Sequence, residues 1–287
     1  MNLVKSLYAT FFIYLARIWI LISHLFVPPG KRAVKLLQLP DFQMMVFANE
    51  AVGRRIWLFK SYEREEIKFL EKNVKADDTF FDLGGNVGYF SLNFAKWATD
   101  GHVHVFEPIP LNAALIKTNL ALNGMRNATV NNVAVGTTVG KAVFSVSVDS
   151  AYSSFNATGR NPEMNSIEVD VITLDTYIAN NTVARVDVLK MDVEGAEGLV
   201  LDGGKNFFSN PKVRPRLMLI ELFDENLLPF GHNTAQLISL LEGYSYQAKV
   251  LGPDGRLQPY SAGLKHIYNV FFVLADEEQR PRREKSN

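Results

Sequence analysis

Thr79-Phe80-Phe81-Asp82-Leu83-Gly84-Gly85-Asn86-Val87-Gly88 is the stretch on which the reading of the fold turns. Thr79–Leu83 is apolar except for Thr79 and Asp82, which suits a short strand buried on both faces. The glycines behind it let the backbone turn sharply and let a ligand approach the main chain. Tyr89–Ala98 then reads as a helix whose N-terminus offers free N–H groups. The strand–helix alternation continues outward. His102–Phe106 and Ala128–Val133 are further strands, with a helix over Leu111–Asn123 between them. Val183–Val193 contains a fourth strand, and a helix begins near Gly195. Arg216–Leu222 is a fifth strand, Thr234–Glu242 a helix, and Tyr246–Leu251 with Asn269–Leu274 a closing pair. Repeated βα units imply an α/β fold, a parallel sheet covered by helices on both faces.

The flanks read differently. Lys141–Val148 and Ser166–Ile172 alternate as a hairpin does, and the polar stretch Asp149–Asn165 between them reads as a surface loop. Upstream, Met44–Ala48 and Arg55–Phe59 read as two short strands around Gly53, and Glu63–Asn73 as an amphipathic helix. Leu7 to Val27 is apolar apart from Thr10, Arg17, Ser23 and His24, close to the ~20 residues a spanning helix needs. Ser6, Thr10, Arg17 and His24 fall on one helical stripe, which also suits a helix lying in the membrane interface or packed on a partner. Lys31, Arg32 and Lys35 follow the run and only Lys5 precedes it, which would leave the body of the chain in the cytoplasm. Val27-Pro28-Pro29 is not a small-residue cleavage site. The expected organisation is a hydrophobic helix over 1–30 as a membrane anchor, a preamble over 31–76, the α/β domain over 77–276 and a charged tail over 277–287.

Composition narrows the function. The chain has 287 residues, 47% hydrophobic, with 20 Phe and 10 Tyr, enough to fill a core. Lys plus Arg and Asp plus Glu are 30 each, so no overall positive field favours nucleic acid, and none is expected as a partner. With no cysteine, disulfides, thiolate metal sites and cysteine nucleophiles are excluded.

The strand ends carry the chemistry. The turn is spaced G-G-x-x-G, not the G-x-G-x-x-G of dinucleotide folds. Asp82 before it would repel a pyrophosphate but suits an ammonium or sulfonium. The second strand ends Val105-Phe106-Glu107-Pro108, with an acid about 20 residues past the turn, where a carboxylate accepts both ribose hydroxyls. The third ends Asn131-Asn132-Val133, where an amide can read an adenine edge and Val133 can pack on its face. Asp82, Gly84, Gly85, Asn86, Gly88, Glu107, Asn132 and Val133 together describe a site for adenosine joined to a charged amino-acid moiety, which S-adenosyl-L-methionine fits. The fourth strand ends Leu189-Lys190-Met191-Asp192-Val193-Glu194-Gly195-Ala196-Glu197. Lys190 and Asp192 point to one face, so Asp192 sits beside the expected methyl donor with Lys190 as its ion-pair partner. Glu194 and Glu197 suit the positive end of the next helix.

The run from Ser61-Tyr62-Glu63 through the glycine turn, Phe106-Glu107-Pro108, Leu174-Asp175 and the Leu189–Glu197 motif resembles the FkbM family of methyltransferases, over roughly Tyr62 to Leu222. The resemblance implies a Rossmann-like class I methyltransferase fold with a mostly parallel seven-stranded sheet. It also implies dependence on S-adenosylmethionine and methylation of a hydroxyl, on a macrolide in the enzyme that names the family and on sugars in some members. The family turn reads Asp-x-Gly-Ala-Asn-x-Gly; Gly85 stands here in place of the alanine, a change that should leave the pocket open.

An alcohol is a poor nucleophile near neutrality, so a base or a metal is expected to assist. Asp192, held by Lys190, is the first candidate for the base or for a contact to the methyl. Glu221, ending Leu217-Met218-Leu219-Ile220-Glu221, is the second, and His232 in the following loop the third. Asp192 and Glu221 could instead share a divalent cation with the acceptor. His102, His104 and His266 read as structural. The acceptor is a small molecule, glycan or lipid, with specificity expected from Asp149–Asn165, the loop after Glu221 and the preamble. Two other readings are a nicotinamide-dependent oxidoreductase and a non-catalytic, membrane-anchored scaffold resembling a methyltransferase.

Overall fold

The computed structural model describes residues 32–147, 149–150, 153–155, 163–261 and 268–275. The apolar run 7–27, His266 and the tail 277–287 lie outside them. Among the described residues no helix is long and apolar enough to cross a membrane.

In chain order the elements are β1 (Val34–Gln38), β2 (Gln43–Phe47), α1 (Ala51–Phe59), α2 (Arg64–Asn73), β3 (Thr79–Leu83), α3 (Tyr89–Trp97), β4 (His102–Phe106), α4 (Pro110–Leu122) and β5 (Ala128–Asn131). Then come β6 (Ala134–Val135), β7 (Gly140–Ser147), β8 (Glu163–Ile172), α5 (Leu174–Asn181), β9 (Val188–Met191), α6 (Glu197–Asp202) and α7 (Lys205–Ser209). The remainder is β10 (Leu217–Glu221), α8 (Asp224–Leu227), α9 (Thr234–Gly243), β11 (Tyr246–Leu251), β12 (Leu257–Pro259) and β13 (Asn269–Leu274).

The central sheet runs β12-β11-β13-β10-β9-β3-β4-β5. From β5 to β10 it is parallel, and β13, β11 and β12 are antiparallel to their neighbours. The sheet is therefore mixed and has eight strands, not seven; the short β12 adds an edge. Successive side chains of β3 enter opposite faces. Phe80 stacks on Phe94 of α3, centroids 4.2 Å apart, while Phe81 packs beside Tyr177 and Phe207 on the other side. Both are fully buried, each contributing roughly 1.5–3 kcal/mol. This two-sided burial is why the strand is nearly continuously apolar.

Several expectations are corrected. Arg55–Phe59 is not a strand but part of α1. Ile56 alone of that stretch is fully buried, and Gly53 lies where a Cβ would come within 2.3 Å of the Phe47 backbone oxygen. The strand expected over Ala128–Val133 stops at Asn131, and β6 after it (Ala134–Val135) joins β8 and β7 in a separate three-stranded sheet. The stretch Asp149–Asn165 is not simply a surface loop: Ser150, Ser153 and Ser154 are buried and β8 begins at Glu163. Arg32, read as a membrane-flanking cation, is ion-paired with buried Glu50 and lies over the Phe47 ring. Met44, Val46, Phe47 and Ile56 of the preamble belong to the same hydrophobic cluster as Phe80 and Phe94.

Candidate active site

The turn after β3 is shaped by close approach. Gly84 has φ +80°, and a Cβ there would lie 1.8 Å from the backbone oxygen of Asp192, so no other residue fits. A Cβ on Gly85 would point into the core, 2.6 Å from Val105 Cγ1, which is why glycine replaces alanine here without altering the cavity wall. Four N–H groups of the turn are already bonded. Those of Gly84 and Gly85 donate to the Phe106 oxygen (2.9 and 3.2 Å), that of Gly88 to the Gly85 oxygen (2.8 Å), and that of Asn86 to Glu107 Oε2 (2.8 Å).

A cavity of ≈ 950 Å³ opens at the carboxyl ends of β3, β4, β9 and β10. On one side its wall is largely apolar, with Phe106, Ile109, Val133, Val135, Phe144 and Phe155. Phe144 and Phe155 come from the insertion and meet edge to face at 5.5 Å. Glu107 stands between this wall and the glycine turn. Its Oε1 accepts the Ile109 N–H (2.9 Å) and its Oε2 that of Asn86, and burial, partly offset by these bonds, raises its carboxyl to about 7.

Lys190 is the hub below the turn. Its Nζ donates to the Gly84 oxygen (2.9 Å) and lies 3.4 Å from Asp192 Oδ2 and 3.8 Å from Asp82 Oδ1. Burial opposes its charge, yet Asp192, Asp82 and Glu63 hold its ammonium above the ordinary range. The expected Lys190–Asp192 pair is present, and Asp192 lines the cavity. Asp82 does not. It is fully buried beneath the turn, accepting the Ser91 hydroxyl at 2.5 Å, so its part is to hold Lys190 rather than to meet a ligand. Asn132 is likewise displaced: its amide donates to the Glu107 and Pro108 oxygens, leaving Val133 to line the wall. His232 packs its ring against Gly198 of α6, and it is not among the residues lining the cavity. His104 is bonded to the Tyr177 hydroxyl at 2.8 Å and His102 to Thr129 at 2.8 Å, as structural histidines are.

Tyr62, Glu63 and Asn269, to which no role was assigned, line the cavity with Glu194 and Glu221. Asn269 is the register partner of Glu221 across β13 and β10. The Asn226 amide donates to Glu194 Oε2 (3.0 Å), so Glu194 faces the cavity rather than α6. Glu197 does serve the helix start, accepting the Val193 N–H at 3.0 Å. Asp192, Glu194 and Glu221 each offer a carboxylate oxygen within 4.8 Å of the others, a spacing that would suit a divalent cation.

The sequence pattern of the Methyltransferase FkbM domain matches residues 82–248, more than half of the chain. The chain belongs to the FkbM methyltransferase family. The 31-O-demethyl-FK506 methyltransferase FkbM of Streptomyces tacrolimicus is 25% identical over 246 residues, covering 74% of this chain and 89% of that one. The hexuronic acid methyltransferase AglP of Haloferax volcanii is 26% identical over 153 residues, covering 53% and 61%. A crystal structure of a methyltransferase FkbM from Methylobacillus flagellatus is 16% identical with a TM-score of 0.44, covering 70% of this FkbM-family chain and 44% of that one.

Proposed function

We propose that this chain transfers the methyl group of S-adenosylmethionine to a hydroxyl of a sugar, glycolipid or other small molecule. The observation that carries the reading is charge. Six carboxylates line the cavity (Glu63, Glu66, Glu107, Asp192, Glu194 and Glu221) against the cations Arg54, Arg55 and Lys190. Burial raises Glu63, Glu107 and Glu221, and neighbouring carboxylates add to the rise at Glu63 and Glu221, so the site favours a ligand that brings positive charge. S-adenosylmethionine supplies an electrophilic methyl on such a cation. Glu107 would hold its ribose, the wall around Phe106, Ile109 and Val133 its adenine, and Asp192 its charged amino-acid end. The hydroxyl acceptor is supported by the O-methyl chemistry in the name of the Streptomyces relative and the sugar acid in that of the Haloferax one.

A nicotinamide dinucleotide suits the site poorly. A pyrophosphate needs N–H donors, and those of Gly84, Gly85, Asn86 and Gly88 are already bonded. A divalent cation shared by Asp192, Glu194 and Glu221 is the alternative source of positive charge. Calorimetry separates these readings: S-adenosylmethionine should bind and NAD should not, and a chelator should leave that affinity unchanged. Binding of NAD alone would refute the proposal. The membrane anchor stays a proposal carried by the sequence of 7–27, tested by whether carbonate washing releases the full chain from membranes.

A further inference from the structure

Six described non-glycine residues have positive φ, and three of them, Glu63, Asn86 and Glu194, line the cavity. Such conformations persist where surrounding structure enforces them, and they gather at functional sites. Glu63 (φ 43°, ψ 55°) stands at the N-terminal boundary of α2. The Asn269 amide at the start of β13 donates to its carboxylate. It faces Lys190 and Asp192 from β9 and its end, Glu221 from β10, and its neighbours Tyr62 and Glu66. Of the other acids of this wall, Asp192 is paired with Lys190, Glu194 accepts from Asn226, and burial together with the Asp192, Glu194, Glu197 and Glu63 carboxylates raises the Glu221 carboxyl well above its ordinary range.

We propose that Glu63 is the general base that accepts the acceptor's hydroxyl proton, an assignment that rests on the methyl-transfer reading above. The O–H bond breaks with its electron pair left on oxygen, which bonds the donor methyl as the carbon–sulfur pair returns to sulfur. The proton goes to a Glu63 carboxylate oxygen and then to solvent at the cavity mouth. Burial lifts this carboxyl to about 7, against the Asn269 bond and Lys190, which matches a base working near neutral pH.

The test joins two readouts on wild type and Glu63→Gln. Calorimetry of S-adenosylmethionine binding in two buffers of different ionisation enthalpy counts protons released at pH 7. Wild type should release more protons than Glu63→Gln, since burial raises the Glu63 carboxyl to about 7. Mass spectrometry follows the rate at which induced protein adds a methyl-sized mass to the host's extracted glycans and lipids. That rate should fall at least ~100-fold in Glu63→Gln, with S-adenosylhomocysteine affinity within threefold of wild type. Asn269→Ala should move the proton-release maximum to higher pH, and it serves as the second variant should Glu63→Gln misfold. Retention of either the proton release or more than a tenth of the rate in Glu63→Gln overturns the assignment while leaving methyl transfer intact. A wild-type chain that does not bind the donor, or binds it and adds no methyl mass, ends the methyl-transfer reading and the assignment with it.

Discussion

Replacing Lys190 with methionine keeps the length of the stem and removes only the ammonium. Three oxygens then lose a cation: Gly84 O at 2.9 Å, Asp192 Oδ2 at 3.4 Å and Asp82 Oδ1 at 3.8 Å. Asp192 is partly exposed and can turn to water, but Asp82 is fully buried. Its Oδ2 keeps the Ser91 hydroxyl, and its Oδ1 has no hydrogen-bond partner even in the native protein. Stranding one member of a buried pair costs about 3–5 kcal/mol. That is a large share of the ~5–15 kcal/mol that holds a domain folded. At a urea slope of ~2–3 kcal/mol/M the midpoint should fall by about 1–2 M with the slope unchanged. The sign with pH follows from Asp82. Burial raises its native carboxyl above the unfolded value, so the stranded charge is relieved as pH falls. The deficit should be largest at pH 7.5 and shrink toward pH 5. Asp82→Asn with Lys190→Met should recover at least half of it. A Lys190→Met protein within about 1 kcal/mol of wild type at pH 7.5, or a double variant no more stable than the single, would refute the account of Lys190 as the keystone of the turn.

Three further outcomes are expected. Glu107→Gln should weaken S-adenosylhomocysteine ~10–100-fold, about 1.4–2.7 kcal/mol by calorimetry, because the carboxylate both fixes the Asn86 and Ile109 N–H groups and faces the cavity; an unchanged affinity would remove Glu107 from the site. Gly84→Ala should not accumulate as folded protein, since its Cβ would lie 1.8 Å from a backbone oxygen at φ +80°, and a cooperative melt within a few degrees of wild type would contradict the turn. Glu63, Glu107 and Glu197 are each raised by burial from 4.5 to about 7, so the native state binds more protons than the unfolded chain between those values. The ligand-free Tm should therefore rise on acidification from pH 8 to 5.5, and a flat or opposite profile would show that these acids are not buried as described.

β3, β4, β11 and β13 end where the sequence says they end, because each buries at least one apolar face: β3 both of its faces, β4 Val103 and Val105, β11 Tyr246 and Val250. α1 was misread for the converse reason. Arg55–Phe59 is mostly exposed, so its composition records no core, and what fixes the helix is Gly53 against the Phe47 backbone, a tertiary contact. At the site, Glu107, Asp192, Lys190 and Glu221 were legible because each closes a strand or motif. Asp82 was placed at the right strand end on the wrong side of the turn. A strand's period of two assigns faces of the sheet, but it does not say whether the glycine turn folds over the side chain. Asn132 failed at the point where the chain leaves β5 for another sheet. Glu63 entered only through the Ser61-Tyr62-Glu63 run, with no role attached, and Asn269 carried no signal: Glu63 stands at a left-handed backbone position, and Asn269 reaches the cavity by antiparallel pairing with β10.

The turn also explains how one scaffold separates two kinds of adenosine ligand. A glycine-rich strand–turn–helix binds a pyrophosphate when its amides point outward unbonded. Here Glu107 comes back from the next strand and occupies the Asn86 N–H, while the Phe106 oxygen occupies those of Gly84 and Gly85. Those three donors are spent on a carboxylate and a carbonyl, and the Glu107 carboxyl stands beside the turn. Below it, the Lys190 ammonium points at the Gly84 oxygen and at Asp82 and Asp192 rather than at the cavity's apolar wall. The proposed preference for a cationic ligand would therefore arise less from the number of glycines than from which groups already own their N–H bonds. Adding donors alone would not convert the site to dinucleotide binding; Glu107 would have to be removed as well, and the loss of its two backbone bonds would loosen the turn that the new ligand needs.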